Sequence, residues 1–337
     1  MMRILLMTFF LLTIFLSGCS GSKGGGEDYG DLNTEEVQQL EQDFIEENEN
    51  VPDENEFIDV QIDETQEQAQ EDIIEVDLPF DVGEEEETTG NVDRYGTNNQ
   101  TIENVERVIF LGDSITATPY LVTPWSDLIR DSLKSLFGAS LEFQNYAAWG
   151  ARTEDVRDDQ LPRIDTGSTK RTLVLMTVGG NDALQVLGES AETSLSHMQN
   201  KVGILEEIIQ WIMDPSHFPG GVYLVFGNIY DPTDGVGDFT HCGIGTSYQD
   251  WPELSEVEPV VNGWYMELAN RYGVDMLDMH GLFLGHGYHN NDTSNPWYCH
   301  DCSPDCPCPR WFDFTCIHPN ADGHEALAGF FYQMVVR

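Results

Sequence analysis

Residues 107–114 read RVIFLGDS: an apolar run, then a glycine, then two polar residues. A continuous apolar run such as residues 107–111 is typical of a strand that is covered on both faces of its sheet. Gly112 permits a tight turn where the strand ends. The stretch therefore predicts a buried strand that places Ser114 at the carboxyl edge of a parallel sheet, where ligands of such sheets bind.

The same kind of apolar run recurs downstream, and helical patterns separate the runs. Predicted strands lie at residues 141–145, 172–178, 222–226 and 274–277. Apolar residues at helical spacing predict helices at 195–212 and 261–272, and Asn320 begins a final helix at 323–336. This alternation indicates one α/β domain, a three-layer α/β/α architecture with a flavodoxin-like, parallel five-stranded sheet.

The charge of the chain is strongly negative and unevenly distributed. Of its 337 residues, 60 are acidic and 15 are Lys or Arg, so the formal charge is −45. Such a chain is repelled by nucleic-acid phosphates, which excludes nucleic acid as a partner. Residues 27–93 hold 27 acidic residues and no Lys or Arg. Segments with this composition stay extended because they cannot bury enough apolar surface.

We therefore expect an acidic, disordered tether at residues 19–103 and a globular domain at 104–337. The tether is either a solvated spacer or an acidic segment that binds cations or a basic partner.

The N-terminus has the features of an export signal. One basic residue, Arg3, precedes an apolar run at residues 4–16 that is too short to span a bilayer comfortably. The following Leu-Ser-Gly-Cys, residues 16–19, resembles a bacterial lipobox, which implies a signal peptide at 1–18 and a lipid on the Cys19 thiol. The alternative is an ordinary signal peptide with a chance cysteine. The lipobox predicts a lipid-anchored protein of the bacterial cell envelope, at the periplasmic or surface face of the outer membrane.

Three further positions carry residues suited to ester chemistry. Gly150, after the second predicted strand, offers an unshielded backbone N–H. Residues 179–182 read GGND after the third strand, and the Asn181 amide can donate to a developing oxyanion. His318 precedes the last helix. Each motif alone is weak evidence, because GDS and GGND are also ordinary turn sequences and the chain has nine histidines.

In this order the motifs resemble those of the SGNH, or GDSL-type, hydrolases, a family of esterases and lipases. The resemblance covers about residues 104–337 and implies the SGNH hydrolase fold. It implies that Ser114 is the nucleophile and His318 the general base. It also implies an oxyanion hole made of the Ser114 N–H, the Gly150 N–H and the Asn181 side chain, and a reaction that needs no cofactor or metal.

One position departs from the family's D-x-x-H pattern, because Thr315 stands three residues before His318. The residue there must accept the hydrogen on His318 Nδ1 and stabilise the imidazolium ion. Two arrangements stay open. The backbone carbonyl of Thr315 can hold the tautomer, so that the Thr315 side chain is dispensable, or a bulge can bring Asp313 to His318. We favour the carbonyl.

Apart from Cys19 the chain has six cysteines, which in an exported protein predict three disulfides. The alternative is a zinc site made from the C-x2-C-x3-C-x-C spacing. Five of the six lie between residues 299 and 316, so one bond must reach the sixth, and we favour Cys242–Cys316. The two cysteines flanking Pro307 are too close to pair without strain. The set is Cys242, Cys299, Cys302, Cys306, Cys308 and Cys316.

Taken together, the sequence predicts a monomeric serine ester hydrolase of carboxylesterase or lipase type, acting through an acyl-Ser114 intermediate. Its substrate is a small-molecule, lipid or acylated-glycan ester. Two alternatives stay open. One is a weak or silent binding module for acylated glycans or lipids. The other is an acetyl transferase or deacetylase that acts on surface polysaccharide.

Overall fold

The computed structural model of the chain describes residues 92–117, 122–241, 248–299, 302, 306–313 and 315–337. Within these ranges one mixed sheet has the strand order β1-β2-β7-β6-β5-β3-β4. The last five strands of that order are parallel, and β1 and β2 are antiparallel at one edge. The strands are β1 Val92–Asp93, β2 Gly96–Thr97, β3 Arg107–Gly112, β4 Glu142–Asn145, β5 Thr172–Thr177, β6 Val222–Gly227 and β7 Asp275–Leu277.

Helices connect the parallel strands and cover both faces of the sheet. They are α1 Trp125–Leu128, α2 Arg130–Phe137, α3 Thr153–Asp155, α4 Gly180–Ala183, α5 Ala191–Met213, α6 Leu254–Tyr272, α7 Met279–Phe283 and α8 Ala321–Val336. A turn of π-helix follows α3 at Val156–Gln160. The three long predicted helices are confirmed, and Asn320 caps α8 by accepting a hydrogen bond from Gly323 N at 2.9 Å.

Alternate residues of each central strand enter opposite cores. In β3, Ile109 and Leu111 pack with α5 and α6, whereas Val108 and Phe110 pack with α1, α2 and α8. All four side chains are fully buried. This alternation produces the predicted three layers, because a strand covered on both faces must be apolar at every position.

The register aligns the carboxyl ends of the central strands. Gly112 at the end of β3 pairs with Thr177 at the end of β5, and Thr177 pairs with Gly227 at the end of β6. The loops that leave these strands therefore start at one edge, where ligands of parallel sheets bind.

Two predictions about the start of the domain need correction. The sheet has seven strands, not five, and the domain begins before the predicted boundary at residue 104. This earlier segment hydrogen-bonds to the far strands: the Gln100 side-chain Nε2 donates to the Leu224 carbonyl at 2.7 Å, and the Asn99 backbone N donates to Asp275 Oδ1 at 2.6 Å. These partners hold β2 against β7 although the segment carries few apolar residues.

The predicted signal peptide, the predicted lipidation site Cys19 and most of the predicted tether lie outside the described residues. Within the ranges that are described, none of the helices combines the length and the apolar character needed to cross a membrane.

Candidate active site

Ser114 lies in the turn that leaves β3. Gly112 there has a φ of 117°, and a Cβ atom at this position would lie 1.8 Å from the Thr177 carbonyl oxygen. The close approach of the two strands therefore requires glycine. The buried Gln160 side chain pairs with both the N–H and the C=O of Gly112, each at 2.8 Å. These contacts fix the turn and leave Ser114 only 7% exposed.

His318 faces Ser114. Its Nε2 atom lies 2.8 Å from Ser114 Oγ. The backbone on either side of the ring is fixed, because Asp313 N donates to the His318 carbonyl at 2.9 Å and the Tyr230 hydroxyl donates to the Ile317 carbonyl at 2.6 Å. A serine and a histidine held at hydrogen-bond distance form the pair that nucleophilic acyl transfer requires.

The second ring nitrogen is held by a chain of two hydrogen bonds. His318 Nδ1 lies 3.0 Å from Thr315 Oγ1, and that hydroxyl donates to Asp313 Oδ1 at 2.6 Å. Because the hydroxyl hydrogen is committed to the carboxylate, Oγ1 can only accept a hydrogen from Nδ1. This fixes the tautomer in which Nε2 carries a lone pair towards Ser114, as a general base requires.

The predicted partners of His318 Nδ1 were therefore wrong in detail. The Thr315 hydroxyl, not the Thr315 carbonyl, faces the ring, and Asp313 acts through that hydroxyl instead of contacting His318 directly. The reason is local: Thr315 N also donates to Asp313 Oδ1, at 2.8 Å, and this turn brings the Thr315 side chain between the carboxylate and the ring. The Asp313 carbonyl is itself engaged by the Tyr288 hydroxyl.

The environment of His318 favours its neutral form. Burial lowers the pKa of His318 below its ordinary value of 6.5, and the charge of Asp313 opposes this only in part. The Trp149 ring lies beside the imidazole, with ring centroids 5.4 Å apart. His318 is thus available as a proton acceptor at neutral pH.

The pH dependence of kcat/KM should show this shift. We expect kcat/KM to rise with pH through a pKa below 6.5 and to be flat near neutrality, because only neutral His318 can accept the Ser114 proton. Titration of Asp113 must be distinguished from that of His318, because burial raises the pKa of Asp113 to about 7. Asp113→Asn keeps an acceptor for Thr177 Oγ1 and Ile115 N, which bind Asp113 Oδ1 in the structure. If the acidic limb vanished in this variant, Asp113 and not His318 would be its source.

Asn181 stands at the start of α4, beyond the end of β5. The chain turns there through Gly179, whose φ is 109°, and a Cβ atom would lie 2.1 Å from the Tyr265 hydroxyl oxygen. Asn181 Nδ2 donates one hydrogen to the Ala151 carbonyl at 3.0 Å. A side-chain amide carries two hydrogens on nitrogen. No second acceptor of Asn181 Nδ2 lies among the residues that the structure describes, so the other hydrogen can face an oxyanion.

Gly150 lies in the loop that follows β4, with a φ of 69°. Its two neighbours contact the site directly: Trp149 lies against the His318 ring, and the Ala151 carbonyl accepts from Asn181. Within the described ranges, the backbone N–H groups of Ser114 and Gly150 donate to no protein acceptor. These two N–H groups and the Asn181 amide are the donors expected of an oxyanion hole.

Sequence reasoning missed the residues that join the two loops of this hole. Asp182 is fully buried, and its Oδ2 accepts from Thr153 N at 3.0 Å and from Thr153 Oγ1 at 2.8 Å. Lys201 Nζ lies 3.4 Å from Asp182 Oδ1 and also pairs with Glu154. Because Asp182 directly follows Asn181 in the sequence, its position could have indicated a place in the site. Nothing near Gln160 in the sequence indicates that Gln160 contacts Gly112.

A largely apolar pocket opens beside the catalytic pair. Its lining includes Ser114, His318 and side chains of α5 and α6. Apolar walls dominate, and Val178, Leu184, Ile229, Leu254, Val257 and Val261 are among them. A pocket of this kind can bury the acyl chain of an ester.

The cysteines are joined by disulfides in the described part of the chain. Cys299 pairs with Cys306, and Cys302 pairs with Cys308. Cys316 is also disulfide-bonded. Its expected partner, Cys242, lies outside the described residues, so the Cys242–Cys316 bond stays a prediction. The sulfur atoms of Cys299, Cys302 and Cys306 lie close enough together to suggest a metal site, but all three cysteines are in disulfides.

Comparison with known protein families finds a match. The model of the GDSL-like lipase/acylhydrolase family matches residues 110–326. No curated protein matches the sequence.

The chain is also similar to several solved structures, of which three are described. A gut microbial diltiazem-metabolizing enzyme is 16% identical with a TM-score of 0.49; the match covers 70% of this chain but only 49% of that one. An acetylxylan esterase from Geobacillus stearothermophilus is 14% identical with a TM-score of 0.45, covering 70% and 96%. An extracellular lipase from Streptomyces rimosus is 17% identical with a TM-score of 0.44, covering 68% and 100%.

Proposed function

The chain is a carboxylic ester hydrolase of the GDSL-like lipase/acylhydrolase family, and from this premise we propose that it cleaves esters through a covalent acyl-Ser114 intermediate. The observation that carries the proposal is the unbroken series of contacts from Ser114 Oγ to His318, Thr315 and Asp313. Each contact supports a defined step of acyl transfer.

In the first step Ser114 Oγ attacks the ester carbonyl while His318 Nε2 takes the hydroxyl proton. The carbonyl oxygen becomes an oxyanion, and the Ser114 N–H, the Gly150 N–H and the free Asn181 N–H are placed to donate to it. Collapse of the tetrahedral intermediate breaks the bond to the alcohol. His318 returns its proton to the leaving oxygen, which leaves the acyl group on Ser114.

In the second step water hydrolyses the acyl-Ser114 intermediate. His318 Nε2 takes a proton from water, the hydroxide oxygen attacks the acyl carbonyl, and Ser114 leaves with the proton from His318. In both steps the imidazolium ion forms next to the Thr315 hydroxyl. That hydroxyl donates to Asp313 and is polarised by it. The Asp313 charge therefore stabilises the His318 imidazolium ion through the Thr315 hydroxyl and not by direct contact.

A silent binding module is less well supported. Loss of catalysis in evolution would relax the contacts that matter only for chemistry, yet the 2.8 Å contact of Ser114 with His318 and the anchoring of Asn181 to Ala151 are intact. A protein that only bound ligands in the apolar pocket would need neither contact.

Substitution of Asn181 tests the reaction itself. We expect Asn181→Ala to lower kcat on p-nitrophenyl esters by about 10²–10³, with a small change in KM, because one oxyanion donor acts mainly in the transition state. Asn200→Ala is the matched control, since Asn200 is an exposed residue of α5. If Asn181→Ala kept the wild-type kcat, Asn181 would not be an oxyanion donor; if the wild type hydrolysed no ester, the proposed function would be wrong.

A further inference from the structure

One charged side chain interrupts the apolar wall of the pocket. Glu258, on α6, lines the same pocket as Ser114 and His318 and is only 8% exposed. Its Oε1 atom lies 2.9 Å from Nδ1 of His280 on α7. A carboxyl group in such a wall is costly unless its hydrogen-bonding capacity is used.

The other polar side chains along this part of the pocket are satisfied by the protein. Asp231 accepts from Thr233 N, Thr233 Oγ1 and Gly235 N. The Asn262 amide pairs with the backbone N–H and C=O of Ile229. Both ends of the Asn228 amide are also bonded, to Asp278 Oδ1 and to His280 N.

Glu258 differs from these residues. Within the described ranges, His280 is the one polar group that contacts its carboxylate. One of the two carboxylate oxygens thus has no protein donor, and the exposed part of the side chain belongs to the pocket lining. A buried acceptor that the protein leaves unmatched is what a site for a donor group requires.

Electrostatics around this carboxyl also favour a donor. Burial raises the pKa of Glu258 to about 7, and His280 opposes the shift in part. Burial lowers the pKa of His280, but Glu258, Asp278 and Asp231 together more than offset this and the net shift is upward. Above its pKa Glu258 is a carboxylate, which accepts a hydrogen bond, and the charges of Asp231 and Asp278 act on the same pair. Acidic groups therefore predominate here, which disfavours an anion on the ligand.

We propose that the pocket takes acyl groups that carry a hydrogen-bond donor, a hydroxyl or an ammonium group, and that Glu258 binds this donor while the ester carbonyl lies at Ser114. The proposal rests on the proposed function and specifies its substrate class. Glu258 selects the acyl group and takes no part in bond cleavage.

The test compares kcat/KM on p-nitrophenyl hexanoate, 3-hydroxyhexanoate, 6-hydroxyhexanoate and 6-aminohexanoate. We expect wild type to prefer at least one donor-bearing ester over hexanoate by about tenfold or more, because a buried polar group left unmatched penalises the analogue that lacks the donor. Glu258→Leu should abolish the preference by lowering kcat/KM on the donor-bearing esters relative to hexanoate, so that their ratio falls to about one. Glu256→Leu, at an exposed position of the same helix, is the matched control.

Glu258→Gln separates the two kinds of donor. Its amide oxygen still accepts from a hydroxyl, so a preference for hydroxyacyl esters should persist, whereas a preference for the aminoacyl ester should be lost with the charge. The proposal is overturned if the wild-type kcat/KM on hexanoate equals or exceeds its kcat/KM on each of the three donor-bearing esters. It is also overturned if the preference survives Glu258→Leu. Failure to hydrolyse any of the four esters would instead contradict the proposed function and, with it, this inference.

Discussion

Ser114→Ala is expected to lower kcat for ester hydrolysis by about 10⁴–10⁶. The variant removes the atom that forms the acyl intermediate, and the residual rate then comes from the oxyanion donors and binding alone. Ligand binding in the apolar pocket should be unchanged, since the substitution removes one oxygen atom at its rim. KM and inhibition by a non-hydrolysable ketone analogue of the ester measure that binding separately from kcat.

The control for this prediction is Ser196→Ala, at an exposed position of α5. Thermal unfolding of both variants shows whether either change disturbs the fold. A Ser114→Ala protein that still hydrolysed esters within tenfold of wild type would exclude Ser114 as the nucleophile.

Thr315→Val is expected to lower kcat by on the order of 10³–10⁴, close to the effect of removing the carboxylate from a Ser-His-Asp triad. Valine has the shape of threonine but cannot accept the hydrogen of His318 Nδ1 or donate to Asp313. The ring then loses the contact that fixes its tautomer, and the imidazolium ion loses its link to the carboxylate. KM should change little, because the substitution acts on a step after binding.

Two further variants distinguish this role from a merely structural one. Thr315→Ser keeps a hydroxyl and should retain most of the activity. Asp313→Asn keeps an oxygen that can accept from Thr315 N and Thr315 Oγ1, the two bonds that Asp313 Oδ1 makes now. It therefore removes the charge with little change to the turn, and we expect a loss of the same order as in Thr315→Val. Full activity of Thr315→Val would restore the interpretation in which a backbone carbonyl orients His318.

The central strands and the position of Ser114 at the end of β3 were predictable because their signals are local. Residues 108–111 of the first central strand are all apolar, as burial on both faces of the sheet demands, and Gly112 marks the end of the strand. The motif glycines follow the same logic: Gly112 and Gly179 have positive φ values and near contacts that leave no room for a side chain. Such constraints act within a few residues of the motif.

The contacts of Thr315 were not predictable from spacing. The D-x-x-H pattern compares residue types at fixed positions, so a threonine in place of the aspartate looks like the loss of a charge. What restores the charge is a hydroxyl that accepts on one side and donates to Asp313 on the other. That geometry depends on the turn at residues 313–315 and on the hydrogen bond between Asp313 N and the His318 carbonyl.

The early edge strands were missed for a related reason. Residues 92–100 continue a segment whose average composition is acidic and poor in apolar residues. Their stability comes from particular partners more than 100 residues away, such as the Asp275 carboxylate for Asn99 and the Leu224 backbone for Gln100. A composition average over the segment cannot detect such pairings, and neither can local periodicity.

The most direct test of the account is the site of covalent modification by a fluorophosphonate. Such a reagent loses fluoride to an activated serine and leaves a stable phosphonyl ester that mimics the tetrahedral intermediate. Intact mass and peptide mapping should find one phosphonyl group per chain, on Ser114, formed in parallel with the loss of ester hydrolysis and absent from Ser114→Ala. Inactivation with the label on another residue, or undiminished hydrolysis by fully labelled enzyme, would contradict the acyl-Ser114 mechanism.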